Sequence, residues 1–140
     1  MLVQDFTLST VPWSVRVYYH PSRRAYKGII DYIYNNIYSY IGTEMDDIIE
    51  FLHEERKNSG CTVSDVENRH SVIVITRTSD AAEFNNTYDH EKGHLAMHIC
   101  EADKINPFSE EYQYLVGEIG QKMFVAARHF LCDHCREKSE

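Results

Sequence analysis

Long apolar runs are missing from this chain of 140 residues. None approaches the roughly 18 residues that a membrane-crossing helix needs, so no membrane span is expected. Met1 to Thr10 has neither a charged n-region nor an apolar h-region, so no secretion signal is expected. Cysteine is scarce. Cys61, Cys100, Cys132 and Cys135 are too few for a disulfide scaffold, and a reduced, cytoplasmic setting is the default expectation. Positive charge is also in short supply. With 14 Lys and Arg against 22 Asp and Glu, the formal charge is -8, which argues against nonspecific nucleic-acid binding and against anionic membrane surfaces. Repeats and low-complexity tracts are absent. What remains is 43% apolar residues, enough for a packed core, in a length that suits one domain spanning residues 1–140.

Hydrophobic spacing divides the chain into elements. Trp13 to Tyr19 (WSVRVYY) is β-branched and aromatic, reads as a strand, and is stopped by Pro21. Ser22 opens a helix whose face is Tyr26, Ile29, Ile30, Ile33, Ile37 and Ile41, with Gly42 as its stop. Thr43 and Asp46 resemble a capping box for a second helix running to about Lys57, with Met45, Ile48, Ile49 and Leu52 inward. Cys61 to Arg69 is polar and reads as a loop. Ser71 to Thr76 (SVIVIT) is a buried strand. Asp80 and Glu83 cap a third helix reaching about Glu101, and Asn106-Pro107 breaks the chain. A last helix runs from near Ser109 to about Leu131 with Leu115, Val116, Ile119 and Met123 as its stripe. Residues 131–140 read as a frayed polar tail. The order is strand, helix, helix, strand, helix, helix, an α+β fold with a small twisted sheet packed against helices.

The chemistry concentrates in His90-Glu91-Lys92-Gly93-His94, which matches H-E-x-x-H. Residues four apart on a helix lie about 40° apart around the axis and about 6 Å along it, so two imidazoles there can converge on one ion. The acid beside the first histidine then lies next to the open coordination position and can accept a proton from water. With 8 histidines in the chain, roughly 0.04 such matches are expected by chance. His53-Glu54 repeats the first two letters without a second histidine and reads as a solvated helix face. His98 follows His90 by eight residues, about 12 Å along the axis. It reads as a structural or supporting residue.

Catalytic zinc sites usually have three protein ligands. Glu110 and Glu111 lie across the Asn106-Pro107 break, where a helical hairpin would return them over the motif helix. Close crossing of the two helices at Gly93 and Gly117 would explain glycine inside both and would aim Glu110, or else Glu111, at the metal. The plainer reading places both acids in a first helical turn, where acids suit the helix dipole.

HEKGHLAMH resembles the active-site helix of gluzincin-type metallopeptidases. Glycine in the fourth place also resembles ImmA/IrrE-type cytosolic peptidases. The order of the core strand, TSDAAEFNNTYDHEKGHL and EEYQYLVGEIGQ resembles small phage-type minimal zincins from about Trp13 to Cys135. The resemblance implies a zincin-like sheet whose edge strand aligns an extended peptide or protein substrate. It implies zinc held by His90, His94 and a glutamate of EEYQYL, with Glu91 as general base. Lys92 departs from the pattern by putting a charge beside the base. No metzincin third histidine, no Met-turn and no second domain to wall a cleft can be found. A zincin-like binding module without turnover is therefore the alternative expectation.

Three other groups stand out. Cys132-Asp133-His134-Cys135 has C-x-x-C spacing with His129 upstream. It could form half of a second metal site or be two ordinary thiols, since a thioredoxin-like role expects the pair near a βαβ start. Tyr34 and Tyr38 fall off the isoleucine face and read as half-covering the core or as a partner surface. Tyr114 could hydrogen-bond an oxyanion near the metal.

Overall fold

The computed structural model describes residues 1–38, 40–42 and 45–139. Along the chain these form β1 (Leu2–Leu8), β2 (Trp13–Tyr19), a 3-10 turn, α1 (Tyr26–Asn36), β3 (Tyr40–Gly42) and α2 (Met45–His53). Then come β4 (Gly60–Asp65), β5 (His70–Ile75), α3 (Ala81–Asp103), α4 (Glu110–Ala127) and α5 (Asp133–Ser139). The strands form one sheet in the order β1-β2-β5-β4-β3. Only the central pair, β2 and β5, is parallel; the other neighbours are antiparallel. The α+β class expected from the sequence is the observed one.

Period-2 alternation sends each strand's side chains to two different cores. Trp13, Val15, Val17, Ile73 and Ile75 meet Phe84, Leu95, Ile99, Leu115 and Ile119 of α3 and α4. Tyr18, Cys61, Val63, Val72 and Val74 meet Ile29, Ile33, Ile48 and Leu52 of α1 and α2. Each fully buried aliphatic side chain contributes roughly 1.5–3 kcal/mol. The sheet is thus clamped between two helical layers.

The strand Trp13–Tyr19 falls where the sequence puts it, and His70–Ile75 lies within a residue of its expected place. The cap expected at Asp80 is also present, its Oδ1 accepting from the Glu83 N–H at 2.8 Å. α4 is capped in the same way, with Ser109 Oγ accepting from the Tyr112 N–H at 3.2 Å. The Thr43–Asp46 cap lies outside the described residues.

Four expectations need correction. The first helix ends at Asn36 rather than Gly42, because Ile37 is extended (φ -119°, ψ 110°) and the Tyr38 N–H is captured by Asp65 Oδ2 at 2.7 Å. Tyr40–Gly42 then pairs with Val63–Asp65 as β3. The second helix stops at His53, with Glu55 and Asn58 in left-handed conformations (φ 52° and 55°) that no helix continues through. The polar segment after Cys61 is not a loop throughout. Its first part is β4, buried on both faces, because its polar side chains find buried partners. The tail is not frayed, since it folds as α5 through a buried Arg136. One strand, β1, escaped the sequence reading. It is an edge strand and mostly exposed, so its alternation is weak.

Candidate metal centre

α3 lies across β4 and β5 and presents three flanks. Phe84, Leu95 and Ile99 point into the sheet-side core. Asp89, Lys92, Gly93 and Ala96 line a cleft against Tyr112, Val116 and Ile119 of α4. His90 and His94 stand exposed on the third flank. Their Nε2 atoms are 3.1 Å apart, with ring planes at 74°. Two lone pairs facing each other at that distance repel, so the contact needs either one N–H donating to the other ring or a cation shared by both. Ligand atoms at 2.0–2.1 Å from a tetrahedral zinc lie roughly 3.3 Å from one another. The imidazole pair therefore fits such an ion as two of its donors.

Glu91 points the other way, into the sheet, and is only 2% exposed. The Thr62 hydroxyl donates to its Oε1 at 2.8 Å. Burial pushes its carboxyl above the ordinary range, while the Thr62 bond and the nearby His94 and His90 pull it back down. Gly60 makes room for it. A Cβ built on Gly60 would sit 2.8 Å from Glu91 Cγ and 2.9 Å from the Val74 carbonyl oxygen, closer than real side chains come.

His98 is buried one turn further along. Its Nδ1 is 2.8 Å from Ser64 Oγ, Ser64 Oγ is 2.6 Å from Ser71 Oγ, and the Trp13 Nε1–H donates to Ser71 Oγ at 2.8 Å. This chain of buried hydrogen bonds fixes the ring, and burial lowers its pKa. His98 thus holds a buried, structural place. Thr62 and Ser64 were missed by reading their segment, Cys61 to Arg69, as a loop. The available signal was alternation: Cys61 and Val63 apolar, Thr62 and Ser64 polar.

The expected third ligand does not join the pair. Among the described residues no group of three His, Cys, Asp or Glu is placed so that it could hold a metal ion. Glu110 and Glu111 sit exposed in the first turn of α4. Glu111 is near enough to Cys100 to help raise that thiol, after burial. Cys100 lies six residues past His94, about 9 Å along the axis. The glycine crossing also fails, because a Cβ on Gly93 or Gly117 would meet nothing within 4 Å. The helices are instead separated there by the cleft. Lys92 leans into this cleft, paired with Asp89 at 3.0 Å and 3.8 Å from the Tyr88 ring centre, so its charge turns away from Glu91.

Other candidates are placed as follows. Tyr34, Tyr38 and Tyr114 are exposed, and His53 closes α2 in solvent. Cys132 and Cys135 are exposed and belong to no three-residue metal cluster among the described residues. No described helix is long and apolar enough to cross a membrane. Compared with protein-family models, curated proteins and solved structures, the chain matches none.

Proposed function

We propose that this protein is a zincin-like, zinc-dependent peptide hydrolase in which His90 and His94 hold the ion and Glu91 is the general base. The carrying observation is the pair of Nε2 atoms 3.1 Å apart on a helix that also places a buried carboxylate between them in sequence. A bound zinc ion supplies Lewis acidity, polarising a carbonyl and making water a nucleophile near neutral pH.

The chain's own groups supply the rest. The Thr62 hydroxyl occupies Glu91 Oε1, leaving Oε2 to take and return a proton. Burial raises the carboxyl, which brings it nearer the pH where it can both accept and donate.

Two observations favour the alternative of a metal-holding module without turnover. Glu91 is buried toward Thr62, and among the described residues no third protein donor accompanies the histidines. Elemental analysis of the purified protein beside His94→Ala, and hydrolysis of a peptide library by wild type and Glu91→Gln with and without chelator, separate the two readings. The enzyme reading expects zinc lost in His94→Ala, and zinc kept with hydrolysis down about 10²–10⁴-fold in Glu91→Gln. Zinc-loaded wild type that cleaves nothing supports the module. Glu91→Gln as fast as wild type rejects the base. Glu110→Gln and Glu111→Gln, measured singly for zinc content, report whether either acid closes the site.

A further inference from the structure

The four cysteines divide into two pairs, and none is in a disulfide. Cys61 is buried in β4, and burial pushes its thiol up to about 12. Cys100 is buried near the end of α3 and its thiol is raised by burial and by the acids Glu111 and Asp103. Both are held as unreactive thiols. Cys132 and Cys135 are exposed. Their backbone closes a helical turn, with the Arg136 N–H donating to the Cys132 carbonyl at 2.9 Å. The two cysteines thus stand three residues apart on one turn, both open to solvent, and hydrogen bonding from Cys135 and from the His134 backbone favours the Cys132 thiolate. This lowers its pKa, with Asp133 opposing.

The turn is anchored. Arg136, 5% exposed, donates from Nη1 to Thr78 Oγ1 at 2.6 Å and to the Asp80 carbonyl at 3.1 Å, and from Nη2 to the Thr78 carbonyl. Asp133, between the cysteines, accepts from the N–H of Ala81, the first residue of α3, at 2.8 Å. A thiol pair on a frayed tail would meet only now and then. Here the fold fixes the backbone turn that carries both cysteines and leaves both open to solvent.

We propose that Cys132 and Cys135 form a thiol–disulfide exchange centre that acts on accessible disulfides, independently of the histidine pair. The Cys132 thiolate attacks one sulfur of a disulfide RSSR, forming a Cys132–SR bond and releasing RS⁻. Cys135 gives up its proton, attacks the Cys132 sulfur and releases the second RS⁻, closing the Cys132–Cys135 disulfide. Two electrons pass from the dithiol to RSSR, and the two protons end on two RSH.

The test uses the full chain, reduced, with two probes: glutathione disulfide, and insulin in the presence of dithiothreitol. Mass spectrometry after glutathione disulfide is expected to show loss of two hydrogens and a linked Cys132–Cys135 peptide. Cys135→Ser is expected to stop at a mixed disulfide on Cys132, and Cys132→Ser to do neither. Cys132 in Cys135→Ser should alkylate with iodoacetamide roughly ten-fold faster than Cys135 in Cys132→Ser. Faster insulin reduction by wild type than by Cys132→Ser assigns a protein disulfide as partner; exchange with glutathione alone assigns a small thiol. Because both positions are exposed, the serine variants should keep the wild-type circular dichroism spectrum. No linked peptide and no exchange with either probe would overturn the proposal, as would equal adducts on both cysteines at equal rates.

Discussion

The strand β4 has two unlike sides. Toward α1 and α2 it shows Cys61 and Val63, packed among Ile29, Ile33, Ile48, Leu52, Val72 and Val74. Toward α3 it shows Thr62 and Ser64, bonded to Glu91 and His98. Both sides are buried to a similar degree. The apolar side is held by area removed from water and does not depend on direction. The polar side is held only as long as each donor finds its acceptor, since a buried polar group left unpaired costs about 1–3 kcal/mol. No buried side-chain nitrogen or oxygen among the described residues lacks a partner, so the polar side is fully matched. Stability rests mainly on the first side. The second positions the acid of the proposed centre and holds the His98 ring.

Breaking the apolar side should have the largest effect. Ile33 is fully buried in the α1 and α2 layer, and Ile33→Ala leaves a cavity with no polar group to draw water in. A loss of about 3–4 kcal/mol is expected in urea unfolding. Zinc content per folded molecule should not change, because this layer lies across the sheet from α3. A variant that lost zinc while still folded would show that the two sides are not separable.

The polar side is sharpened by Gly60→Ala. The added methyl would overlap Glu91 Cγ and the Val74 carbonyl oxygen, and overpacking of this kind typically costs about 1–3 kcal/mol. Unlike Ile33→Ala, it should also displace the acid, so peptide hydrolysis should fall further than stability alone explains. Adding Glu91→Ala should recover only part of the stability, because the backbone oxygen of Val74 remains. Full recovery would mean that the side-chain contact is the whole cost.

The same contrast explains what could be read from the sequence. The β-branched and aromatic alternation of WSVRVYY and the continuous apolar run of SVIVIT announced the central strands. The cap of α3 was legible because an N-cap is local chemistry: a side-chain oxygen and an N–H three residues on. His90, Glu91 and His94 were legible because their spacing is set by helix geometry alone. β4 was hidden because its polar residues are polar for a tertiary reason, the acid and imidazole of α3, which no window around Thr62 contains. The ends of α1 and α5 were hidden similarly. Asp65 captures the Tyr38 N–H across 27 residues, and Arg136 reaches Thr78 across 58. The path of α4 past α3 also depends on long-range packing, which is why the third ligand expected from it did not follow from spacing.

The smallest expected effect lies outside both sides of β4, where α4 meets the β1–β2 connection. Glu118 takes hydrogen bonds from the Ser9 N–H and hydroxyl and the Thr10 N–H at 2.6–3.0 Å. Burial pushes its carboxyl up, but these bonds outweigh burial and bring it down to about 2. A depressed carboxyl stabilises the fold above its unfolded value, near 4.5, and this contribution is lost as the pH falls toward 2. The group is largely open to water, so screening reduces the contribution to about 1 kcal/mol. Glu118→Gln should therefore be less stable than wild type by about that amount at pH 7 in urea melts. The difference should shrink as the pH is lowered below 4.5. A gap that stayed constant across that range would assign the cost to lost packing, not to the ionised carboxylate. Zinc content and Cys132 reactivity should be unaffected, since neither the histidine pair nor the cysteine turn touches this contact.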